Sequence, residues 1–461
     1  MRSLKSSHTE TPAAVPASGG FGSLLLLAVL TVGIGSGCAT YSDRMKSIQQ
    51  DVVAGNYQAA IDGLDKSIGM SSGQLPDSFS SDTALAVLDR GTLEQAIAQF
   101  EHSSIDYGAA DKELELLDLS NDTVGQIGKY FFSDSSTKYK ASPVEKLAVN
   151  GFNMMNYLAL GRLAGASVEA RRFTVMRDYL NQFDPGHAHA AFGSYLAGFT
   201  FAQQGDYSRA MRYYDEALQS VSFESLRGPV SRLAQFTNYR GKKITQFLAQ
   251  KKAPAVNANR TANLLVVVSI GRVPYKVPER MPIGAAIGLA GTFISGNPDV
   301  LGYSIFKFVN YPELVQPPSL YDGVRLEVDG HSARFELATN LGMEIENEYR
   351  ALKPKIIGAA LSRMIVRAAA AEGMRQAGNQ ESGAVGWILA LATEASMVAM
   401  DKPDTRSWMF MPGRVYIYQT QLSPGKHDVV IELGRSGSNP LRHSVDLEAK
   451  GYAAIVVTAP R

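Results

Sequence analysis

Few residues in this sequence combine the right type with the right spacing for chemistry. Asp184-Pro-Gly-His187-Ala-His189 offers two imidazoles and a carboxylate, a donor set that suits zinc. A spacing of two sends both rings to one face only in a strand. Here the pair opens a helix, where the rings diverge, so no metal site is expected. His102, His331, His427 and His443 stand alone. A serine hydrolase needs Gly-x-Ser-x-Gly at a strand-to-helix elbow; the nearest stretch, Gly33 to Gly37, has its serine out of place. Gly284, Gly288 and Gly291 lack the Gly-x-Gly and the acidic partner of a dinucleotide fold, and no Walker loop occurs. Glu344, Glu346 and Glu348 read as a solvated helix face. No catalytic residue, metal or cofactor is expected. The most specific polar cluster is Asp404, Arg406 and Trp408. In an extended segment Asp404 and Arg406 share a face, so a bidentate pair, or Arg406 on the Trp408 ring, would clamp neighbouring elements together. The alternative is a surface recognition patch.

Cys38 is the single cysteine in 461 residues, which excludes an intrachain disulfide and an all-cysteine metal site. Arg2 and Lys5 precede a polar stretch, an apolar run from Leu24 to Val32 and the small residues Gly33 to Gly37. A basic start, a short apolar core and small residues are the parts of a secretory signal, and the run is too short to span a bilayer comfortably. Ser36-Gly37-Cys38 resembles the lipobox of bacterial lipoproteins. Gly35 departs from it, since that position is usually Leu. The resemblance implies cleavage before Cys38, acylation of its thiol and anchoring on a bilayer. Ala39, where sorting families place Asp for retention, implies the outer membrane. A secreted protein with a free thiol is the alternative.

Composition sets wider limits. The chain is 45% hydrophobic and 19% charged, with 42 Gly and 20 Pro, which excludes wholesale disorder, collagen and a polytopic membrane protein. Lys and Arg number 45 against 44 Asp and Glu, so no global field gathers nucleic acid, and none is expected as a partner. The length allows two to four domains, at roughly 100–200 residues each.

The elements that would position these residues change character along the chain. From Tyr41 to about Lys252, apolar residues recur at helical spacing with Gly, Asn and Asp at the breaks. The clearest unit is Ala191 to Ser222, with Gly198, Phe201, Gly205, Tyr207, Ala210, Tyr214 and Ala217. Gly198 and Ala210 would let two helices approach, and Tyr207 and Tyr214 would fill the groove between them. This unit resembles a tetratricopeptide repeat. Tyr41 to Ile68 repeats the spacing with Gly55-Asn56-Tyr57 and Ala60, Asn156 to Leu180 keeps the small residues, and Leu85 to Leu117 reads as a pair broken at Gly91. Such units stack into a superhelix with a concave surface.

Past a linker, Leu264 to Ile270 is a buried-strand run. Ile283 to Ile294 is Gly- and Ala-rich and would pack tightly or lie at a lipid surface. Asp329-Gly330 marks a hairpin, two helices are expected at Thr339–Gln376, kinked or split by Pro354, and at Ser382–Met400, and alternating strands close the chain. The expected class is α+β: a helical-repeat superhelix, a mixed region and a small antiparallel β-sandwich. The expected divisions are signal 1–37, helical repeats 38–252, linker 253–262, mixed region 263–403 and sandwich 404–461. Taken whole, this order resembles an uncharacterised family of bacterial envelope lipoproteins. It implies an address and an architecture but no activity. The favoured reading is a lipid-anchored, non-enzymatic scaffold that recruits envelope proteins in its helical groove. The alternative is a cell-wall or surface-glycan binding protein or hydrolase with a site between domains.

Overall fold

Helices come first, and glycine sets the turn in three of their four described hairpins. The computed structural model describes residues 40–70, 73–79, 82–116, 139–183, 191–250, 261–302, 307–378, 402–434 and 440–461. The leader with Cys38, the His187 and His189 pair, most of the linker and the helix expected at Ser382–Met400 lie outside the described residues. After a short α1 (Tyr41–Arg44) the helices run in pairs: α2 (Lys46–Ala54) and α3 (Tyr57–Ile68), α4 (Thr83–Ala96) and α5 (Phe100–Glu113), α6 (Pro143–Ala159) and α7 (Leu163–Phe183), α8 (Ala191–Gln203) and α9 (Tyr207–Ser220). Gly55, Gly161 and Gly205 sit at three of the turns with φ of 84°, 72° and 81°, a conformation that costs other residues about 1 kcal/mol or more. Ser142-Pro-Val-Glu145 supplies α6 with a capping box and a proline in its first turn. Each helix packs on its hairpin partner, and each hairpin packs on the next through α3 with α4, α5 with α6, and α6 and α7 with α8. Gly91 does not break a pair. It lies inside α4, where a Cβ would come within 3.1 Å of Asp106 and 3.3 Å of Tyr107, so it allows α5 to pack close. The turn falls at Ala98 instead, which itself adopts φ 60°.

Two shorter helices, α10 (Arg227–Leu233) and α11 (Lys242–Gln250), close the helical layer, and a two-residue parallel ladder joins β1 (Glu115–Leu116) to β2 (Lys140–Ala141). The strand β3 (Ala262–Arg272) is then buried along its whole length. Its continuous apolar run follows from having both faces covered. Leu265 and Val267 enter the helical core, while Leu264, Val266, Val268 and Ile270 enter a second core. β3 pairs in parallel with β12 (Tyr452–Ala459) and antiparallel with β9 (Pro412–Leu422), which carries β8 (Glu336–Asn340) at its far edge. The second core is closed by another four-stranded sheet, β11 (Leu441–Leu447), β10 (Gly425–Leu433), β6 (Val324–Val328) and β7 (His331–Ala333). Helices, one sheet and a second sheet thus form three layers. The four terminal strands do not pair among themselves as a purely antiparallel unit; only β10 and β11 do, and the rest join strands from residues 262–340.

A third core lies beside these layers. The hairpin of β4 (Tyr275–Pro282) and β5 (Phe308–Val315) packs with α12 (Ile283–Ala290) against the long α13 (Leu341–Gly378). Ala286 and Ala290 of α12 are buried, and Leu289 faces outward. α13 runs through Pro354 as one helix.

Candidate functional site

The residues expected to shape the helical groove pack the α8–α9 hairpin. A Cβ on Gly198 would lie 2.5 Å from the Tyr214 ring, so glycine is what admits that tyrosine. Ala210 and Ala217 are fully buried. Phe201 stacks on Tyr213 at 5.4 Å, and the Arg209 guanidinium lies 4.7 Å from the centre of the Phe201 ring. Gly205 makes the turn, and Asp206 caps α9 through the Arg209 amide. Tyr214 donates a long hydrogen bond to Gln419 on β9 (3.4 Å). Tyr207 leaves the interhelical groove and packs on Phe236 at 5.5 Å.

The inner surface of the helical layer is occupied by the chain itself. Every residue from Thr83 to Gln95 of α4 is buried, as are Pro143 to Asn156 of α6 and Ala191 to Phe201 of α8. β12 covers α4 and α6, β8 reaches α8, and the extended segment leading into β9 fills the remainder. Trp408, Met409, Phe410 and Met411 are wholly buried there. The Trp408 indole donates to Thr92 Oγ1 (2.9 Å) and meets the Tyr107 and Phe152 rings edge-on at 5.7 and 5.9 Å. Its backbone amide donates to Glu145 Oε1 (3.2 Å), and the Phe410 amide donates to Asp89 Oδ1 (2.8 Å). Helical carboxylates therefore satisfy backbone donors of a segment that has no strand partner, as buried amides require.

Asp404 and Arg406 form a bidentate pair, with Nε to Oδ1 at 2.9 Å and Nη2 to Oδ2 at 2.6 Å. Arg406 lies over the Tyr139 ring at 5.8 Å, not over Trp408. Burial lowers the Arg406 pKa, but Asp404 outweighs it and leaves it raised. Lys276 donates to the Arg406 carbonyl (3.2 Å), and Thr405 accepts from the Ser42 amide (3.1 Å). The cluster ties the β4 hairpin and the start of the helical layer to one segment. Asp89 is raised well above the carboxylate range by burial, against the lowering effect of the Phe410 amide and the Tyr41 hydroxyl.

A second buried group was not legible as a site. Arg90 is fully buried and bonds Asp65 Oδ1 (2.6 Å), both Asp106 oxygens (2.7 Å each) and the Gln74 carbonyl (2.8 Å). One turn on, the Glu94 carboxyl is buried beside Asp106, with no donor group pointed at either oxygen. Burial first, then the Asp106 charge, push it up to about 9. The available signal was Asp89-Arg90 and Glu94 inside an otherwise apolar helix.

Where the helical layer meets the β4–β5 hairpin and α13, a recess of about 530 Å³, including solvent at its mouth, is lined by Tyr139, Glu145, Lys276, Glu348, Tyr349 and Trp408. Glu145 already accepts from the Tyr139 hydroxyl, the Ser142 amide and the Trp408 amide. Glu344, Glu346 and Glu348 are half-buried and do not form a solvated face. Burial lifts Glu344 to about 7, against a hydrogen bond from Thr339. His427 is held between Asp329 Oδ2 (2.7 Å) and the Ser423 carbonyl (2.8 Å), which leaves no ring nitrogen free to act as a base. Among the described residues no group of three or more His, Cys, Asp or Glu is placed to hold a metal. No described helix is long and apolar enough to cross a membrane. No family model, curated protein or solved structure matches this chain.

Proposed function

We propose that the protein is a lipid-anchored bacterial envelope protein that works by binding protein partners and not by catalysis. The anchor rests on Cys38, the single cysteine, placed after Ser36 and Gly37 at the end of an apolar run. Acylation there would hold the chain on the outer membrane, facing the periplasm. The binding role rests on one observation: four successive helical hairpins stack on one another, two of them turning at equivalent Gly-Asn-Tyr and Gly-Asp-Tyr triplets, Gly55–Tyr57 and Gly205–Tyr207. That order is tetratricopeptide-like, and such stacks serve as platforms for protein partners. Because the inner surface is filled by the chain's own sheet and residues 405–411, partners would meet the outer surface. Val168 and Val175 stand exposed there, seven residues apart on α7 with the exposed Arg171 between them. The same face of a helix recurs at that spacing.

A glycan site has one observation in its favour, the recess lined by Tyr139, Tyr349, Glu145 and Glu348. Its rings are sealed: Trp408, Tyr139 and Tyr349 are 0%, 5% and 8% exposed, leaving no aromatic face for a sugar to stack on. Affinity purification from cross-linked envelopes tests the binding reading, comparing wild type with Cys38→Ala and Val175→Asp. A protein partner lost in both variants supports the anchor and the outer surface together. Retention of the same partner by Val175→Asp would exclude that surface, and recovery of glycan without protein would overturn the reading.

A further inference from the structure

We propose that Arg272, Arg461 and the hydroxyls of Tyr57 and Tyr321 form a binding site for a phosphate group. The sheet register assembles the basic groups. Ile270 of β3 is level with Ala459 of β12 and Arg414 of β9. Arg272 and Arg461 each follow two residues later, so three arginines gather at one end of three adjacent strands.

Arg272 is the unusual member. It is 4% exposed, and its Nε and Nη1 have no hydrogen-bond partner. Burying an unpaired guanidinium is far costlier than burying a neutral amide, and native interiors pair such groups. Among the described residues, none of Arg272, Arg414 and Arg461 is in an ion pair. The carboxylate whose field reaches Arg272 is Asp89. It is engaged by the Phe410 amide and the Tyr41 hydroxyl, and burial favours its neutral form.

The surroundings are built to keep the neighbouring groups in place. Arg461 Nε donates to the Tyr321 hydroxyl at 3.3 Å. Its Nη1 occupies the space that a Cβ on Gly55 would take, 1.8 Å away, and the Gly55 φ of +84° separately favours glycine. Arg414 donates to the Tyr321 and Asp322 carbonyls (2.7 and 3.1 Å), fixing that loop from the other side, and so acts as a positioning residue. Tyr57 lies within the fields of Arg272, Arg461 and Tyr321, and burial pushes its hydroxyl up to about 12, so it stays a proton donor. Guanidinium forks and hydroxyl donors suit a tetrahedral oxyanion. Two cations favour a dianion over a carboxylate. The same chemistry is presented by free phosphate and by the phosphate of a lipid headgroup.

The test uses the purified full chain with inorganic phosphate as probe, at constant ionic strength, read by calorimetry. Wild type is expected to bind one phosphate saturably. Arg272→Met and Arg461→Met should each weaken that binding at least ~10-fold, while Arg325→Met, an exposed partner of Glu432, should not change it. Arg272→Lys, which keeps the charge, and the half-buried Arg461 serve where Arg272→Met fails to fold. Displacement of bound phosphate by phosphatidylglycerol vesicles assigns the site to a headgroup; no displacement assigns it to a small phosphate. Absence of saturable binding to wild type, or equal weakening by Arg325→Met, overturns the proposal.

Discussion

Replacing Trp408 with alanine removes the largest side chain that is wholly buried in the helical core, although the residue belongs to the segment entering β9. A tryptophan buries roughly 150–250 Å², which at about 25 cal/mol per Å² comes to ~4–6 kcal/mol of transfer free energy. Measured Trp→Ala costs in cores run about 3–5 kcal/mol, because the site partly collapses. The indole bond to Thr92 is contained in that figure and is worth about 1 kcal/mol by itself. We expect Trp408→Ala to cost ~4 kcal/mol, a large share of the ~5–15 kcal/mol that holds a protein folded. Trp408→Phe keeps most ring contact and should cost about half as much. Urea unfolding followed by far-ultraviolet circular dichroism measures both. Since Trp408 touches Tyr107 and Phe152, the helical signal itself must shift to lower urea. A cost below about 1 kcal/mol, or a helical transition unmoved while only strand signal weakens, would refute the placement of this segment inside the helical layer.

Gly198→Ala forces a Cβ against the Tyr214 ring and should cost ~1–3 kcal/mol in the same urea assay, whereas Gly284→Ala, with open space around it, should be neutral or slightly stabilising. Glu94 is raised from 4.5 to about 9 by burial and then by Asp106, so the fold disfavours its ionised form. Glu94→Gln should gain on wild type progressively as pH climbs from 4.5 toward 9, and a constant difference across that range would contradict the burial of the carboxylate. Arg90→Met leaves Asp65 and Asp106 buried without their cation and should cost ~3–5 kcal/mol at pH 7 by urea midpoint. Burial lowers the His427 pKa, but the Asp329 carboxylate and the Ser423 carbonyl raise it above 6.5 overall. Its contribution is therefore complete below the unfolded value of 6.5 and fades as pH rises through the folded value. Asp329 is lowered, burial notwithstanding, by the same bond, so its contribution fades as pH falls through its own depressed value. Asp329 is 41% exposed, which limits the pair to about 0.5 kcal/mol after screening; the difference between wild type and His427→Gln in urea midpoint should peak between those limits.

Local chemistry was readable and long-range pairing was not. The Leu264–Ile270 run declared a strand covered on both sides, and Gly55 and Gly205 declared their turns. Gly91 was misread because propensity treats glycine as a breaker, while here a close approach of Asp106 and Tyr107 selects it. The sequence offered a bidentate Asp404–Arg406 pair or Arg406 on the Trp408 ring; the bidentate pair forms, and Arg406 lies over Tyr139 instead. What Trp408 meets was not legible, since its hydrogen bond to Thr92 joins residues 316 apart. The parallel pairing of β12 with β3 is likewise a tertiary choice that no local pattern encodes. The Glu344 to Glu348 alternation looks solvated on a bare helix; packing against Thr339 and the recess buries it in part.

The segment from Thr405 to Met411 limits where a partner of the proposed kind could bind. An external peptide seeking the inner helical surface would have to displace a sequence tethered at both ends. Its effective concentration is on the order of millimolar even for a flexible tether. It also holds buried aromatic contacts and the amide bonds to Glu145 and Asp89. Displacement would expose Leu85, Leu88 and Phe152 at the same time, because one continuous core contains them with Trp408 and Phe410. The free energy that an open helical groove would offer to a partner is spent here on joining the helical layer to the sheet. On the binding reading proposed above, a partner would therefore have to use surfaces that the chain leaves open, because the inner surface is already packed by the sheet and by residues 405–411.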